Sequence, residues 1–342
     1  MNRASQDGVR VNMLDVENLR VEFATAGGIV HAVNDVSFHV GYGEIVGIVG
    51  ESGCGKSVTT RAVLGLVAPP GRIVAGRAVF KGRDLMSIGK RKLRQVRGKE
   101  IGFVAQNPFG ILNPVLRVGK QFHAVAKAHD RRATKATVRA RALELLNAVG
   151  IVDAERVLDG YAHELSGGMA QRVGIAISML LHPALILADE PTTALDVTVQ
   201  KQILDLIRRL MREEGRDMSM LLVTHDLGVV AQYCDRVVVL YAGKVVEAGP
   251  VDEVFERPTH PYTQALLQAV PRMGRPLVNL KGRLPDLVHY PVGCPFRERC
   301  AFALPECSTE EPQMMPVGSR GSERSCFRPV GEVVAHDAVR AG

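Results

Sequence analysis

The stretch GESGCGKS at residues 50–57 constrains the fold of this chain more than any other segment. It fits the pattern G-x-x-x-x-G-K-[ST], in which glycines let the backbone curl so that successive N–H groups point at phosphate oxygens. The run EIVGIV before it predicts a buried strand, and the residues after it predict a helix that ends before Pro69 and Pro70. This order of elements predicts a nucleotide-phosphate site at a helix N-terminus. Its expected contact residues are Gly50, Glu51, Ser52, Gly53, Cys54, Gly55, Lys56, Ser57 and Val58.

Three side chains of this loop have individual expected roles. Lys56 supplies positive charge for the phosphates, and the Ser57 hydroxyl can ligate Mg²⁺. Cys54 lies near Lys56 and a helix N-terminus, which are two features that lower a thiol pKa. We therefore expect alkylation of Cys54 to block nucleotide binding, and bound nucleotide to protect this thiol.

The segment LILADEP provides a second group of polar residues, at the end of an apolar run. Asp189 at such a strand end can hold magnesium, as the corresponding acids of phosphate-loop enzymes do. Pro191 favours an extended conformation for the preceding Glu190. An extended Glu190 would place its carboxylate to take a proton from an attacking water, and this segment therefore predicts a general base.

Strand-like and helix-like patterns alternate along the chain. NLRVEF and HAVNDVSFHV flank Gly27 and Gly28 and predict antiparallel strands around a turn. ALILAD, MLLVT and RVVVLY predict buried strands separated by helices, and residues 121–149 predict a helix that stops at Gly150. This alternation predicts an α/β fold with a parallel sheet covered on both faces. The opening residues lack an apolar signal region and no run approaches about eighteen apolar residues, so we expect a soluble cytosolic protein.

The positive charge of the chain is concentrated between residues 81 and 141. This segment holds 16 Lys and Arg residues against three acids, a difference of +13, whereas the whole chain carries +7. Two interpretations stand side by side. The segment is either a solvated helical face or a surface for an anionic partner, such as a membrane or nucleic acid.

Several further motifs follow the loop in a fixed order: FVAQNP with Gln106, LSGGM at residues 165–169, TALD at residues 193–196 and LLVTHD with His225. With these motifs, the chain resembles the nucleotide-binding subunits of ATP-binding-cassette (ABC) transporters from residue 13 to about residue 255. The resemblance identifies Gln106 as the Q-loop glutamine, Asp196 as part of the D-loop and His225 as the switch histidine. It implies ATP and Mg²⁺ as ligands, with Ser57, Gln106 and Asp189 at the metal. Glu190, His225, Gln106 and Lys56 are the implied catalytic residues.

The signature LSGGM lies where a helix is expected to begin. The N-terminus of that helix offers an anion a hydroxyl, free N–H groups and a partial positive charge. The resemblance implies that Ser166, Gly167 and Gly168 contact the γ-phosphate of ATP bound to a second cassette. Phe23 is the candidate for stacking on adenine, and it could equally pack between strands.

The last part of the chain carries Cys294, Cys300, Cys307 and Cys326 with the spacing C-x5-C-x6-C-x18-C. Zinc ligands usually lie two to four residues apart in pairs, and a reducing compartment disfavours disulfides, so this spacing favours neither. Free thiols and an iron–sulfur cluster are the further alternatives, and the spacing alone does not choose among the four. The region also resembles ATPase subunits of dipeptide, oligopeptide and nickel importers. That resemblance, and not the spacing, implies a 4Fe-4S cluster, expected as a structural clip on a small tail with little core.

The resemblance implies an α/β P-loop ABC ATPase core with an antiparallel β subdomain, a helical subdomain at about residues 84–170 and a Cys-rich C-terminal tail. The expected division is a nucleotide-binding domain at 1–255 and a transporter-type C-terminal region at 256–342. The implied function is ATP hydrolysis that powers peptide uptake. The implied partners are a second, generally unlike, cassette, two membrane permease subunits and an extracytoplasmic substrate-binding protein, with no nucleic acid. The expected location is the cytoplasmic face of the inner membrane, as a peripheral subunit. A nucleic-acid ATPase and an exporter cassette are the alternatives.

Overall fold

The computed structural model describes residues 12–191, 197–213, 218–270, 280, 282–318 and 320–331. The strands in these ranges are β1 (Leu14–Thr25), β2 (Gly28–Val40), β3 (Ile45–Val49), β4 (Gly71–Phe80), β5 (Arg83–Asp84), β6 (Ile101–Val104), β7 (Leu185–Asp189), β8 (Ser219–Val223), β9 (Arg236–Tyr241), β10 (Lys244–Pro250), β11 (Met314–Val317) and β12 (Ser322–Ser325). The α-helices are α1 (Lys56–Val63), α2 (Lys90–Val96), α3 (Val118–His129), α4 (Lys135–Ala148), α5 (Ala154–Asp159), α6 (Gly167–Met179), α7 (Val197–Glu213), α8 (Leu227–Tyr233), α9 (Val251–Glu256) and α10 (Pro261–Gln268). Among the described residues, no helix is long and apolar enough to cross a bilayer.

The chain forms two compact units, and each one is assembled from segments that are far apart in sequence. The first unit comprises the described residues of 1–13, 40–45 and 87–223, and the second those of 14–39, 46–86 and 224–342. The phosphate loop and the C-terminal tail therefore belong to the same unit, although more than half of the chain separates them.

The first unit is built on three parallel strands. β7 lies between β6 and β8, with Leu185 opposite Ile101 on one side and Ser219 on the other. Every residue of β7 and β8 is buried, as expected for strands that are covered on both faces. The strands expected from ALILAD and MLLVT are therefore confirmed.

The helical part of the first unit differs from the expected single helix at 121–149. Two helices, α3 and α4, occupy this stretch, with Asp130 in an extended conformation after the first. The Thr134 side chain accepts a hydrogen bond from the Thr137 N–H and begins α4. Short polar side chains compete for backbone groups and favour helix ends over helix interiors, which explains the interruption. Gly150 has φ +74° and follows the end of α4, as expected.

The second unit contains an antiparallel sheet in the order β2-β1-β4-β5. β1 and β4 pair from Leu14 opposite Phe80 to Phe23 opposite Gly71, with irregularities between Glu17 and Val21. In β2, buried Val36 and Phe38 alternate with exposed Asp35 and Ser37, so one face packs inward and the other faces solvent. The antiparallel strands expected from the N-terminal pattern are confirmed.

A second group of strands in this unit joins the phosphate loop to the tail. β3 pairs parallel with β9, β9 pairs antiparallel with β10, and the tail strand β12 adds to β10 with Glu247 opposite Arg324. Val49, Tyr241, Tyr262, Phe296 and Cys294 belong to one apolar core cluster. The tail therefore packs into a core that it shares with the sheet, whereas the sequence suggested a tail with little core.

Candidate functional site

The phosphate loop leaves the end of β3 and enters α1 in a conformation that glycine makes possible. Gly50 has φ +150° and Gly55 has φ +104°. A Cβ at Gly50 would clash with the carbonyl oxygen of Leu240, and a Cβ at Gly55 would clash with that of Ala32. The loop is therefore held closely between β2 and the end of β9, with Gly55 at the N-terminus of α1.

Lys56 is directed back into the loop and is only 5% exposed. Its Nζ donates hydrogen bonds to the carbonyl oxygens of Gly50, at 2.8 Å, and Glu51, at 2.9 Å. Burying an ammonium group is costly without such partners. The arrangement concentrates positive charge within a loop at a helix N-terminus, which suits an anionic ligand.

The expectation of a lowered pKa for the Cys54 thiol is wrong. Cys54 is fully buried. Burial raises the pKa of its thiol, and the charge of Lys56 offsets this only in part. A buried, protonated thiol reacts slowly, so alkylation from solvent is not expected while the loop is folded.

Asp189 and Glu190 lie at the end of β7, in the first unit. Asp189 is fully buried, and the Glu190 N–H donates to the Val223 carbonyl at 2.9 Å. Glu190 has φ +46°, which places it in the left-handed region, so the expected extended conformation is wrong. A non-glycine residue there is held by its surroundings, and such strain concentrates at functional sites.

The structure brings Gln106 and Glu190 together. Gln106 follows β6, the neighbour of β7, and its Nε2 donates to Oε2 of Glu190 at 2.9 Å. The two residues are 84 positions apart in the chain. An amide that donates to a carboxylate holds it in one orientation, and a general base must be positioned in this way.

The signature begins α6, as expected from its sequence. Ser166 is the N-cap, and its Oγ accepts from the Met169 N–H at 3.3 Å. Ser166 and Gly167 are exposed, and a depression lined by Ser166, Gly168, Met169 and Arg172 lies beside them. A capped, exposed helix N-terminus of this kind can receive an anion.

The remaining expected site residues lie in different places. Ser57 and Val58 are in the first turn of α1 and are half-buried, and Ser52 is exposed. His225 is exposed two residues after the end of β8, and it belongs to the second unit. Phe23 is half-buried, and its ring lies over the backbone of Gly71 in β4. Asp196 and the rest of TALD lie outside the described residues.

Two residues that the sequence did not indicate contact the phosphate loop. Arg299 forms a two-pronged ion pair with Glu51, and the Tyr262 hydroxyl accepts from the Glu51 N–H at 2.9 Å. Arg299 is 248 positions from Glu51, and no local pattern marks it. Only the return of the tail to the loop explains these contacts.

The four tail cysteines do not form the expected metal centre in the described part of the chain. All four are free thiols. No group of three or more His, Cys, Asp or Glu side chains in these ranges is placed to hold a metal ion. Burial raises the pKa of Cys294 to about 12 and that of Cys300 to about 11, and neighbouring cysteines contribute to both increases. Nothing in the arrangement of the described residues therefore supports a 4Fe-4S cluster.

Comparisons with known proteins agree with the motifs. Residues 33–193 match the ABC transporter family, and residues 246–307 match the C-terminal region of oligopeptide/dipeptide transporters. The chain is 45% identical over 325 residues to the oligopeptide transport ATP-binding protein OppD of Salmonella typhimurium, covering 94% of this chain and 95% of that protein. It is 43% identical over 318 residues to OppD of Haemophilus influenzae, covering 92% and 97%.

Solved structures show the same fold. A dimeric ATP-binding cassette in a post-hydrolysis state, bound to ADP and Pi, superposes with a TM-score of 0.63 at 29% identity, covering 70% of this chain and 99% of that one. CbiO1 from Clostridium perfringens, part of an ABC transporter complex, superposes with a TM-score of 0.58 at 28% identity, covering 72% and 91%. These coverages leave part of this chain outside the superposition.

Proposed function

This chain belongs to the ATP-binding subunits of oligopeptide/dipeptide ABC transporters, and we propose that it hydrolyses ATP with Glu190 as general base to power peptide import. Membership in this family makes it an ABC ATPase. The observation that carries the proposed residue roles is the hydrogen bond between Gln106 and Glu190, because it joins two predicted catalytic side chains from separate strands.

The phosphate loop is the proposed binding site for the triphosphate. The N–H groups of the loop and the Lys56 ammonium bind the phosphate oxygens, so Lys56 exchanges its bonds to the Gly50 and Glu51 carbonyls for bonds to ATP. Ser57 and Asp189, with Gln106, are the proposed ligands of Mg²⁺, which neutralises charge that develops on the phosphates when it is bound.

Hydrolysis requires a water molecule in line with the bond to the leaving ADP. Glu190 accepts the proton of this water as its oxygen attacks the γ-phosphorus, and ADP and phosphate are the products. Gln106 holds the Glu190 carboxylate through the observed hydrogen bond. His225 is proposed to stabilise the γ-phosphate, and Phe23 to stack on adenine.

A second cassette completes each site in this proposal. Ser166, Gly167 and Gly168 are proposed to contact the ATP of the partner cassette, because the exposed N-terminus of α6 can receive an anion. Asp196, which lies outside the described residues, is proposed for the same site on the family resemblance alone. The further proposed partners are two permease subunits and an extracytoplasmic binding protein, with the subunit at the cytoplasmic face of the membrane. The support is its similarity to oligopeptide transport and peptide import ATP-binding proteins. We also propose the division into a cassette at 1–255 and a C-terminal region at 256–342.

The variant Glu190→Gln tests the proposal. In the assembled importer, we expect ATP turnover to fall by at least about 100-fold, because the amide cannot accept the proton. The affinity for ATP should stay within about threefold of wild type, since binding depends on the loop. Glu155→Gln is the matched control, because Glu155 is an exposed acid in the same unit. Full turnover by Glu190→Gln would reject the assigned base.

The 4Fe-4S cluster stays a prediction of the family resemblance, and the proposed function does not depend on it. Iron and acid-labile sulfide analysis of anaerobically purified protein tests it directly. About four iron atoms per chain, lost in Cys300→Ser, would establish the cluster. Protein that contains no iron would contradict the prediction of a cluster.

A further inference from the structure

We propose that the C-terminal tail contributes to ATP binding, because Arg299 of the tail positions the phosphate loop through Glu51. The inference rests on the proposed binding of ATP by that loop. Loop and tail belong to the same compact unit, so the contacts lie within one body. It assigns a role to a tail residue that is remote from the loop in sequence.

The contact between Arg299 and Glu51 is specific in geometry. Nη1 of Arg299 lies 2.6 Å from Oε2 of Glu51, and Nη2 lies 2.9 Å from Oε1. The Arg299 side chain is 5% exposed and that of Glu51 is 28% exposed. Two parallel charge-assisted hydrogen bonds fix both the position and the orientation of the carboxylate, which one flexible ion pair would not do.

Arg299 is itself held firmly by aromatic side chains. Its guanidinium carbon lies 5.6 Å from the centre of the Tyr241 ring and 5.9 Å from that of Phe296. Nη1 also donates to the Tyr241 hydroxyl at 3.3 Å. Such cation–π and hydrogen-bond contacts restrict a long side chain that would otherwise sample many rotamers. The tail therefore presents a preorganised cation to the loop.

Glu51 is held through its main chain as well as through its side chain. Its N–H donates to the hydroxyl of buried Tyr262, and its carbonyl oxygen accepts from Lys56 Nζ at 2.9 Å. A continuous series of bonds thus connects Arg299, Glu51 and Lys56. Moving Glu51 would displace the loop backbone, whose N–H groups the phosphates need.

Other tail residues contact the surroundings of the loop. A Leu284 methyl group lies 3.7 Å from the point that a Cβ atom would occupy if Gly53 carried one. The Tyr290 hydroxyl donates to the Ala242 carbonyl at 2.8 Å, and the N–H of adjacent Gly243 donates to the Cys54 carbonyl at 3.0 Å. The tail therefore supports the loop at several points, with Arg299 as its charged contact.

The test measures ATP affinity and thermal unfolding without nucleotide for Arg299→Gln, Glu51→Gln and the double variant, in the full chain. We expect each single variant to weaken ATP binding by about tenfold, and the double variant to be no weaker than either single one, because both remove the same pair. The ATP affinity of Arg299→Lys should lie between those of wild type and Arg299→Gln, because lysine keeps the charge but cannot form the two parallel hydrogen bonds of the guanidinium group. A purely structural role would lower the unfolding temperature without changing the affinity of the folded protein.

Two further variants separate the possible failures. Arg283→Gln is the matched control, because it removes an exposed arginine of the tail, and it should bind ATP like wild type. Lys56→Ala tests the site itself. If Lys56→Ala loses ATP binding and Arg299→Gln and Glu51→Gln keep it, the positioning role is overturned while the proposed site stands. If Lys56→Ala binds ATP normally, the assignment of the phosphate loop fails. Should Arg299→Gln not fold, Glu51→Gln alone decides, since it removes the pair from the loop side.

Discussion

The phosphate loop and the cysteine-bearing tail lie in the same unit, yet they differ in how their chemistry is built. The loop places backbone groups of consecutive residues around Lys56, whose ammonium has two carbonyl partners. The tail distributes four thiols between Cys294 and Cys326, and among the described residues they form no metal site. A function that resides in consecutive backbone groups is encoded locally, whereas one that needs dispersed side chains depends on the packing between them.

The largest expected difference concerns two lysines of this unit. Lys56→Ala should weaken ATP binding by at least about 100-fold, because it removes the charge that binds the phosphates. Lys244→Ala is the comparison, since Lys244 pairs with Glu311 of the tail and should leave ATP affinity within about twofold. Titration of a fluorescent ATP analogue measures both. Equal losses in the two variants would contradict the assignment of Lys56 to the phosphates.

Two glycines with positive φ provide the next comparison. Gly55 has φ +104° in the loop, and Gly293 has φ +80° in the tail, where a Cβ would clash with the Cys307 carbonyl. Each Gly→Ala change should destabilise the protein by about 2 kcal/mol through backbone strain. Denaturant unfolding measures this cost for both.

These two variants should differ in their effect on the ligand. Gly55→Ala should also abolish most ATP binding, because it displaces the start of α1. Gly293→Ala, in contrast, should weaken binding by no more than a few-fold, through the tail. A stronger loss of binding in Gly293→Ala than in Gly55→Ala contradicts the comparison.

Acid should destabilise the folded protein through His260, which begins α10. His260 is buried, and burial, together with the charge of Arg324, lowers its pKa from 6.5 to about 3. Below pH 6.5 His260 is protonated in the unfolded chain but stays neutral in the folded chain until the pH approaches 3. The free energy of unfolding should therefore fall by up to about 1.4 kcal/mol per pH unit as the pH decreases from 6.5 towards 3.

His260→Asn should flatten this dependence, measured by urea unfolding between pH 7 and pH 4. Asparagine can still cap α10, where His260 Nδ1 now accepts from the Tyr262 N–H. The opposing tendency of Glu247, whose pKa burial raises, is common to both proteins and cancels in the difference. His163→Asn changes an exposed histidine and should retain the wild-type slope. An unchanged slope in His260→Asn would contradict the assignment.

The smallest expected difference is in thiol reactivity. In metal-free protein, a water-soluble maleimide should label partly exposed Cys300 and Cys326 about tenfold faster than buried Cys54. Peptide mapping by mass spectrometry after timed labelling measures these rates. Arg299→Gln should accelerate labelling of Cys54 if the tail holds the loop closed. Preferential labelling of Cys54 in the wild-type protein would contradict its burial.

Much of the nucleotide site could be predicted from the sequence. The loop at Gly50–Ser57, the strand ending at Asp189 and the helix begun by Ser166 each depend on neighbouring residues, and each lies where the pattern indicated. The left-handed conformation of Glu190 was missed, because Pro191 disfavours the right-handed helical region but does not by itself select an extended conformation. The break between α3 and α4 was missed because the apolar pattern hides the cap at Thr134.

The sequence by itself determined the chemistry that a short segment can perform: a phosphate-binding curl, a carboxylate at a strand end and a capped helix N-terminus. The tertiary structure alone decided which distant residues meet. It brought Gln106 to Glu190 and Arg299 to Glu51, and it buried Cys54 so that its pKa rises when its neighbours suggested the opposite. The physical reason is that backbone curvature and helix capping are local, whereas desolvation and ion pairing depend on whatever the fold packs alongside.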